Sequence, residues 1–203
     1  MLSTTYQMSS NIDPSVVERD PENRLLSRQN RRRLEAEPVR DSILFVGGGL
    51  DPTMGEMASN VDSKRRAIYL PVDRAALYEM FSTFDYVETA NHIEQRPVTT
   101  VPNQALFLLN SSMVHEQARR LIEQLPIQDH QVPITDLGSI VSDLFMRLYS
   151  RDANGDEISR AIRFLEQSQE ALVHVANARE RRLQAWAALC RTLIAGNEFV
   201  YVE

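Results

Sequence analysis

The strings most able to do chemistry are acidic or glycine-rich. Asp152-Ala153-Asn154-Gly155-Asp156 carries the alternating oxygen ligands of a calcium loop, but Glu157 stands where such a loop needs glycine and Arg163 where it needs glutamate. A helix-capping turn, where Asn and Asp are favoured, is the better reading. Gly47-Gly48-Gly49, followed by Asp51 and Thr53, invites a phosphate-cradling loop, yet no GxxxxGK(S/T) can be drawn and Lys64 lies too far along. It reads as a helix end. His92-Ile93-Glu94 is half of a zinc-deaminase signature whose PCxxC half cannot exist, because Cys190 is the one cysteine. The same count excludes an intrachain disulfide, a cysteine-based zinc site and a CxxCH haem site within this chain. His115, His130 and His174 share no ligand spacing with His92, and no GxSxG elbow supports a serine triad.

The basic residues are lopsided. Of 22, Lys64 is the only lysine, which leaves 21 arginines. Codon supply explains the total, and placement must explain the individuals. Arg31-Arg32-Arg33 is the densest run; Glu35, Glu37 and Asp41 follow within helical reach and no aromatics interleave, so ion pairing along a helix is favoured over phosphate binding. A net charge of −6 likewise argues against a dedicated nucleic-acid or anionic-membrane binder. No apolar run approaches the ~20 residues of a membrane span, and the first residues lack the layout of a signal peptide.

These side chains must be positioned by a chain that is 43% hydrophobic over 203 residues, a globular composition. Residues 1–10 read as the tail of a helix without a cap in front. Asp20-Pro21-Glu22-Asn23 reads as a strong helix start running through Arg33, with a kink or break near Glu37 imposed by Pro38. The glycine triplet ends that segment, 50–66 is a loop, 67–72 is extended, and 75–84 is a short helix on Leu77, Met80, Phe81 and Phe84. After an irregular stretch to 101, two helices meet at Asn110-Ser111-Ser112, whose polar side chains cap the second. Residues 126–133 connect to a helix over 136–149, another from 155 or 156 to 172, and a last one on the stripe Leu183, Trp186, Leu189, Cys190, Leu193 and Ile194, closed by Gly196. Cys190 on that stripe is a small core residue rather than a nucleophile. The fold class is mainly α: an irregular helical domain with long loops and at most short extended segments. It is one domain over 1–203, with a subdivision into an irregular front, 1–125, and a helical back, 134–203.

Several strings, in order, resemble one family. They are Asp20-Pro21-Glu22-Asn23-Arg24-Leu25-Leu26, Asn30-Arg31-Arg32-Arg33-Leu34-Glu35-Ala36-Glu37, Val39-Arg40-Asp41-Ser42, Arg66-Ala67-Ile68-Tyr69-Leu70-Pro71-Val72, Thr99-Thr100-Val101-Pro102-Asn103-Gln104-Ala105-Leu106-Phe107-Leu108-Leu109-Asn110, and Trp186 to Val202. Together they resemble the planctomycete-specific PSD-type domain of unknown function, found at the C-terminal end of large planctomycete proteins. The resemblance implies an exported, periplasmic or extracellular parent with upstream domains, often a cytochrome c domain with its own CxxCH. This chain then reads as an N-terminally truncated piece of that parent. Any haem belongs to those upstream domains, and no cofactor or metal is expected here. Pro38 and Gly55-Glu56-Met57 depart from the family pattern.

The resemblance carries over no reaction. The signature positions Arg31, Arg32, Arg33, Glu35, Arg40, Asp41, Arg66, Arg96, Thr99, Thr100, Gln104 and Asn110 form the candidate site, read as a buried polar network knitting irregular segments to helices or as a cleft for an anionic ligand such as a sugar acid or sulfated glycan. Arg24 joins Arg31 to Arg33, Arg40, Arg66 and Arg96 as a candidate internal clamp. The expected function is a C-terminal structural or binding module whose partners are the parent's upstream domains and polysaccharide. The alternatives are a polysaccharide-directed enzyme using Asp41, Asp51, Asp85 or Glu94 as acid and base, and a nonfunctional fragment.

Overall fold

The computed structural model describes residues 2–11, 14–73, 77–87, 93–127 and 134–202. His92, His130, residues 75–76 and most of the 126–133 connector lie outside them; the helix expected over 75–84 begins only at Glu79, Leu77 and Tyr78 being non-helical. The fold is mainly α. The helices are α1 (Pro14–Arg19), α2 (Ala36–Val46), α3 (Glu79–Thr83), α4 (Pro102–Asn110), α5 (Ser112–Glu123), α6 (Ile134–Tyr149), α7 (Gly155–Ala171), α8 (Ala178–Ile194) and α9 (Asn197–Val200). Two short strands, β1 (Arg32–Arg33) and β2 (Tyr201–Val202), pair antiparallel with Arg32 opposite Val202 and Arg33 opposite Tyr201.

α8 is the central element. Leu183, Trp186, Leu189, Cys190 and Ile194 are all buried on it, and α5 and α7 flank it. One apolar cluster runs from Val39 and Ile43 of α2 through Met80 and Phe81 of α3, Leu108 of α4, Val114 and Leu121 of α5, Leu144 of α6 and Leu165 of α7 to Trp186 and Phe199. No helix among the described residues is long and apolar enough to cross a membrane.

Local capping explains where the back helices start. Asn154 accepts the Glu157 N–H at 2.9 Å while Glu157 accepts the Asn154 N–H at 2.8 Å, a reciprocal capping box that opens α7. Asn177 accepts the N–H groups of Arg179 and Glu180 at the start of α8. The second helix of the 102–123 pair begins where expected, but Ser111 occupies its cap position with no side-chain bond.

Elsewhere the front differs from expectation in four places. Residues 20–31 are not helical: Asp20 accepts the N–H groups of Arg24 (2.8 Å) and Leu25 (2.7 Å), and Asn23, at φ 53°, accepts the Ser27 N–H (2.9 Å) and donates to Arg28 O (2.7 Å). With Leu26 also at φ 53°, the side chains of Asp20 and Asn23 take over donors a helix would need. Pro38 does not break a helix. It lies in the first turn of α2, where the missing N–H has no intrahelical partner anyway. Residues 67–69 form a 3-10 turn, and Leu70 after it is extended. The first residues form a single 3-10 turn, Thr4–Gln7, capped by Ser3.

Gly47 and Gly49 end α2 against α5. A Cβ on Gly47 would lie 2.7 Å from Gln117 Cβ and 2.9 Å from its Cα, so close approach demands glycine there.

Candidate functional site

β1 delivers Arg33 to a point where three other segments converge: the end of α3, the 93–101 stretch and the first turn of α4. Its side chain is 4% exposed. Nη2 donates to Asp85 Oδ2 at 3.0 Å and Nη1 to Gln104 Oε1 at 3.0 Å, with Phe84 beneath the guanidinium at 5.9 Å. Asp85 sits in the left-handed region, φ 61°, which turns the chain out of α3 and is tolerated by Asp. The Thr99 N–H and hydroxyl each donate to Asp85 at 2.8 Å, and Gln104 Nε2 donates to Thr83 O at 3.1 Å. Burial alone would raise the Asp85 carboxyl, but the Thr99 bonds and the Arg33 guanidinium outweigh it and hold it below the ordinary carboxylate range.

Next to this pair, Arg96 Nη1 donates to Glu35 Oε2 at 2.8 Å and to Glu37 Oε1 and Oε2 at 3.0 and 2.9 Å, with its guanidinium 5.0 Å from the Tyr86 ring centre. Burial opposes that cation, yet Glu37 and Glu35 hold it above the ordinary arginine value. A cleft of about 620 Å³ opens between these groups, with Arg31, Arg32 and the exposed Glu94 also on its walls. Arg32 is 79% exposed and only 3.5 Å from Glu35 Oε1.

The other signature positions lie elsewhere. Arg40 is 2% exposed and donates to Arg65 O (3.0 Å), Val61 O (3.4 Å) and Ser63 O, pinning the 50–66 loop to α2. Asp41 accepts the Ala67 N–H at 2.7 Å, and Arg66 approaches it at 3.6 Å while remaining 58% exposed. Thr100 meets the Tyr201 hydroxyl at 3.1 Å. Asn110 is exposed at the end of α4 and bonds none of these groups among the described residues. Arg24 is also exposed. The Arg31 to Arg33 run thus lies on no helix: Arg32 pairs with Glu35 nearby, while the buried Arg33 reaches partners 52 and 71 residues away.

Of the four carboxylates offered as acid and base, only Asp85 and Glu94 share a cleft. Asp51 lies in the loop after the glycine turn, where the Thr53 hydroxyl at 2.6 Å and N–H at 2.9 Å hold its carboxyl below the ordinary range. A carboxylate held ionised by fixed donors can orient a cation, but it cannot deliver a proton at neutral pH. No group of three or more His, Cys, Asp or Glu among the described residues is arranged to hold a metal ion.

Sequence reasoning missed a second arginine centre. Arg151 forks onto Glu157 (2.8 and 2.9 Å) and onto Glu198 (2.5 and 2.8 Å), lying 5.4 Å from the Phe145 ring centre and 5.8 Å from that of Tyr149. The Arg151 bond holds Glu157 down to about 2 against the opposing effect of burial. The Asn154-to-Glu157 capping spacing was the available signal, but Glu198 is 47 residues from Arg151 and left none.

No curated protein and no solved structure matches this chain. A family model does match residues 1–165, a span that holds Arg33, Asp85, Arg96, Thr99 and Gln104 and ends within α7. The chain belongs to the PSD1 family, proteins of unknown function (DUF1553).

Proposed function

We propose that the chain is a structural or binding module, the C-terminal part of a larger extracytoplasmic protein, with the parent's other domains as its partners and acidic polysaccharide as the ligand of the Arg33 cleft. The observation that carries this reading is the mutual engagement of Arg33 and Asp85. The buried guanidinium and the Asp85 carboxylate neutralise each other at 3.0 Å and are fixed by Gln104 and Thr99. That arrangement locks three segments together and leaves no proton donor at Asp85. Rim arginines such as Arg32 supply exposed forks suited to uronate or sulfate groups. Covalent c-type haem, where the parent carries it, is held by other domains, since a CxxCH site needs two cysteines and this chain has one.

The test is affinity electrophoresis in gels containing polygalacturonate or a sulfated glycan, run alongside an assay for new reducing ends. Retardation that Arg32→Ala weakens, without new reducing ends, is the expected result. Reducing ends released by the unaltered chain and abolished in Asp85→Asn would instead establish the polysaccharide-directed enzyme. No retardation by any polymer would leave the purely structural role, and no cooperative melt of the isolated chain would favour a remnant.

A further inference from the structure

α5, α7 and α8 leave a groove of about 590 Å³ between them, which shares no lining residue with the Arg33 cleft and lies largely beyond the family match. Its floor is one face of α8, where Leu183, Ala187 and Arg191 recur at helical spacing. The alanines keep that floor low, and Leu172 at the end of α7 forms an apolar wall. The volume lies within the ~300–1,000 Å³ of small-molecule sites, which are typically apolar with a few placed polar groups.

Charge inside the groove is unbalanced in one place. Glu116 is answered by Arg120 at 3.0 Å and Lys64 at 3.4 Å, and Glu180 by Arg119 at 3.4 Å. Arg191 is half-buried and makes no ion pair or hydrogen bond among the described residues. Burial pulls its guanidinium below the ordinary arginine value, the direction for a cation that no acid answers. A single planar fork at the end of an apolar trough matches a single carboxylate.

We propose that this groove binds an amphiphile with an apolar body and a carboxylate head, the body lying over Ala187 and Ala188 against Leu172 and the head on Arg191. Arg191 is a recognition residue, and no structural bond is lost with it.

The test is calorimetric titration of the full chain with decanoate, and with decanol as the uncharged counterpart. Expected are one saturable decanoate per chain and at least tenfold weaker decanol. Arg191→Gln should weaken decanoate about tenfold with decanol and the thermal midpoint unchanged, the effect of one charge-assisted contact. Ala188→Leu, which fills the trough, should weaken both. The proposal is overturned by absence of saturable decanoate binding, by decanol binding as tightly, or by Arg191→Gln binding decanoate as the unaltered chain does. Should Ala188→Leu fail to fold, the Arg191→Gln comparison decides alone.

Discussion

Arg33 and Asp85 are 52 residues apart in sequence and 3.0 Å apart in space, and the arginine side chain is almost wholly withdrawn from water. Removing one member of such a pair leaves a buried charge with nothing opposite it. Asp85→Ala should therefore cost about 3 kcal/mol in urea denaturation. Arg33→Met combined with Asp85→Ala should cost less than the two single losses added together. Additivity would show that the two side chains contribute independently.

Glu157 carries a pH signature. Its carboxyl titrates near 2 in the fold against an ordinary 4.5. A depressed carboxyl contributes stability that is complete above the unfolded value and is lost as pH falls through 4.5 toward 2. The thermal midpoint of the unaltered chain should thus exceed that of Glu157→Gln at pH 6, and the gap should close between pH 5 and pH 2. A gap that persists at pH 2 would contradict the assignment.

Gly47→Ala tests the contact between α2 and α5. The new methyl would meet the backbone and Cβ of Gln117, which cannot swing away, so a loss of about 2 kcal/mol in denaturant stability is expected. Gly155→Ala, with open space around its Cβ position, should be close to neutral by the same measurement.

Cys190 should be inert. Burial pushes its thiol up to about 12, and it lies fully buried in the core on α8. Thiol reagents at pH 8 should label it only after denaturation, in step with the change in Trp186 fluorescence. Rapid labelling of the native chain would mean that the α8 core opens.

Helices with a one-sided apolar stripe were legible because burial is a local pattern there. Val141, Leu144 and Phe145 on α6, and Trp186, Cys190 and Ile194 on α8, all point where periodicity sends them. The 20–31 segment was not legible, since propensity rewards Asp-Pro-Glu-Asn as a helix start and cannot see Asn23 and Leu26 turning left-handed. The candidate site was half readable. Arg33, Arg96, Thr99 and Gln104 converge, but sequence proximity suggested Glu35, Glu37 and Asp41 as the partners of the arginine run. The real partner of Arg33, Asp85, had surfaced only as an acid for catalysis. Long-range pairing of this kind leaves no periodic trace.

The ladder that joins Arg33 to Tyr201 divides the contacts of one segment between two distant parts of the sequence. The side-chain partners of Arg33, Asp85 and Gln104, lie within 71 residues of it in sequence. The backbone of the same segment pairs with β2, and the Leu34 N–H makes its 2.7 Å bond to Val200 O. Loss of residues 200–202 would strip the backbone partners from this segment while every side-chain partner of Arg33 remained in the chain. Residues 200–202 act as the latch on the segment that carries Arg33.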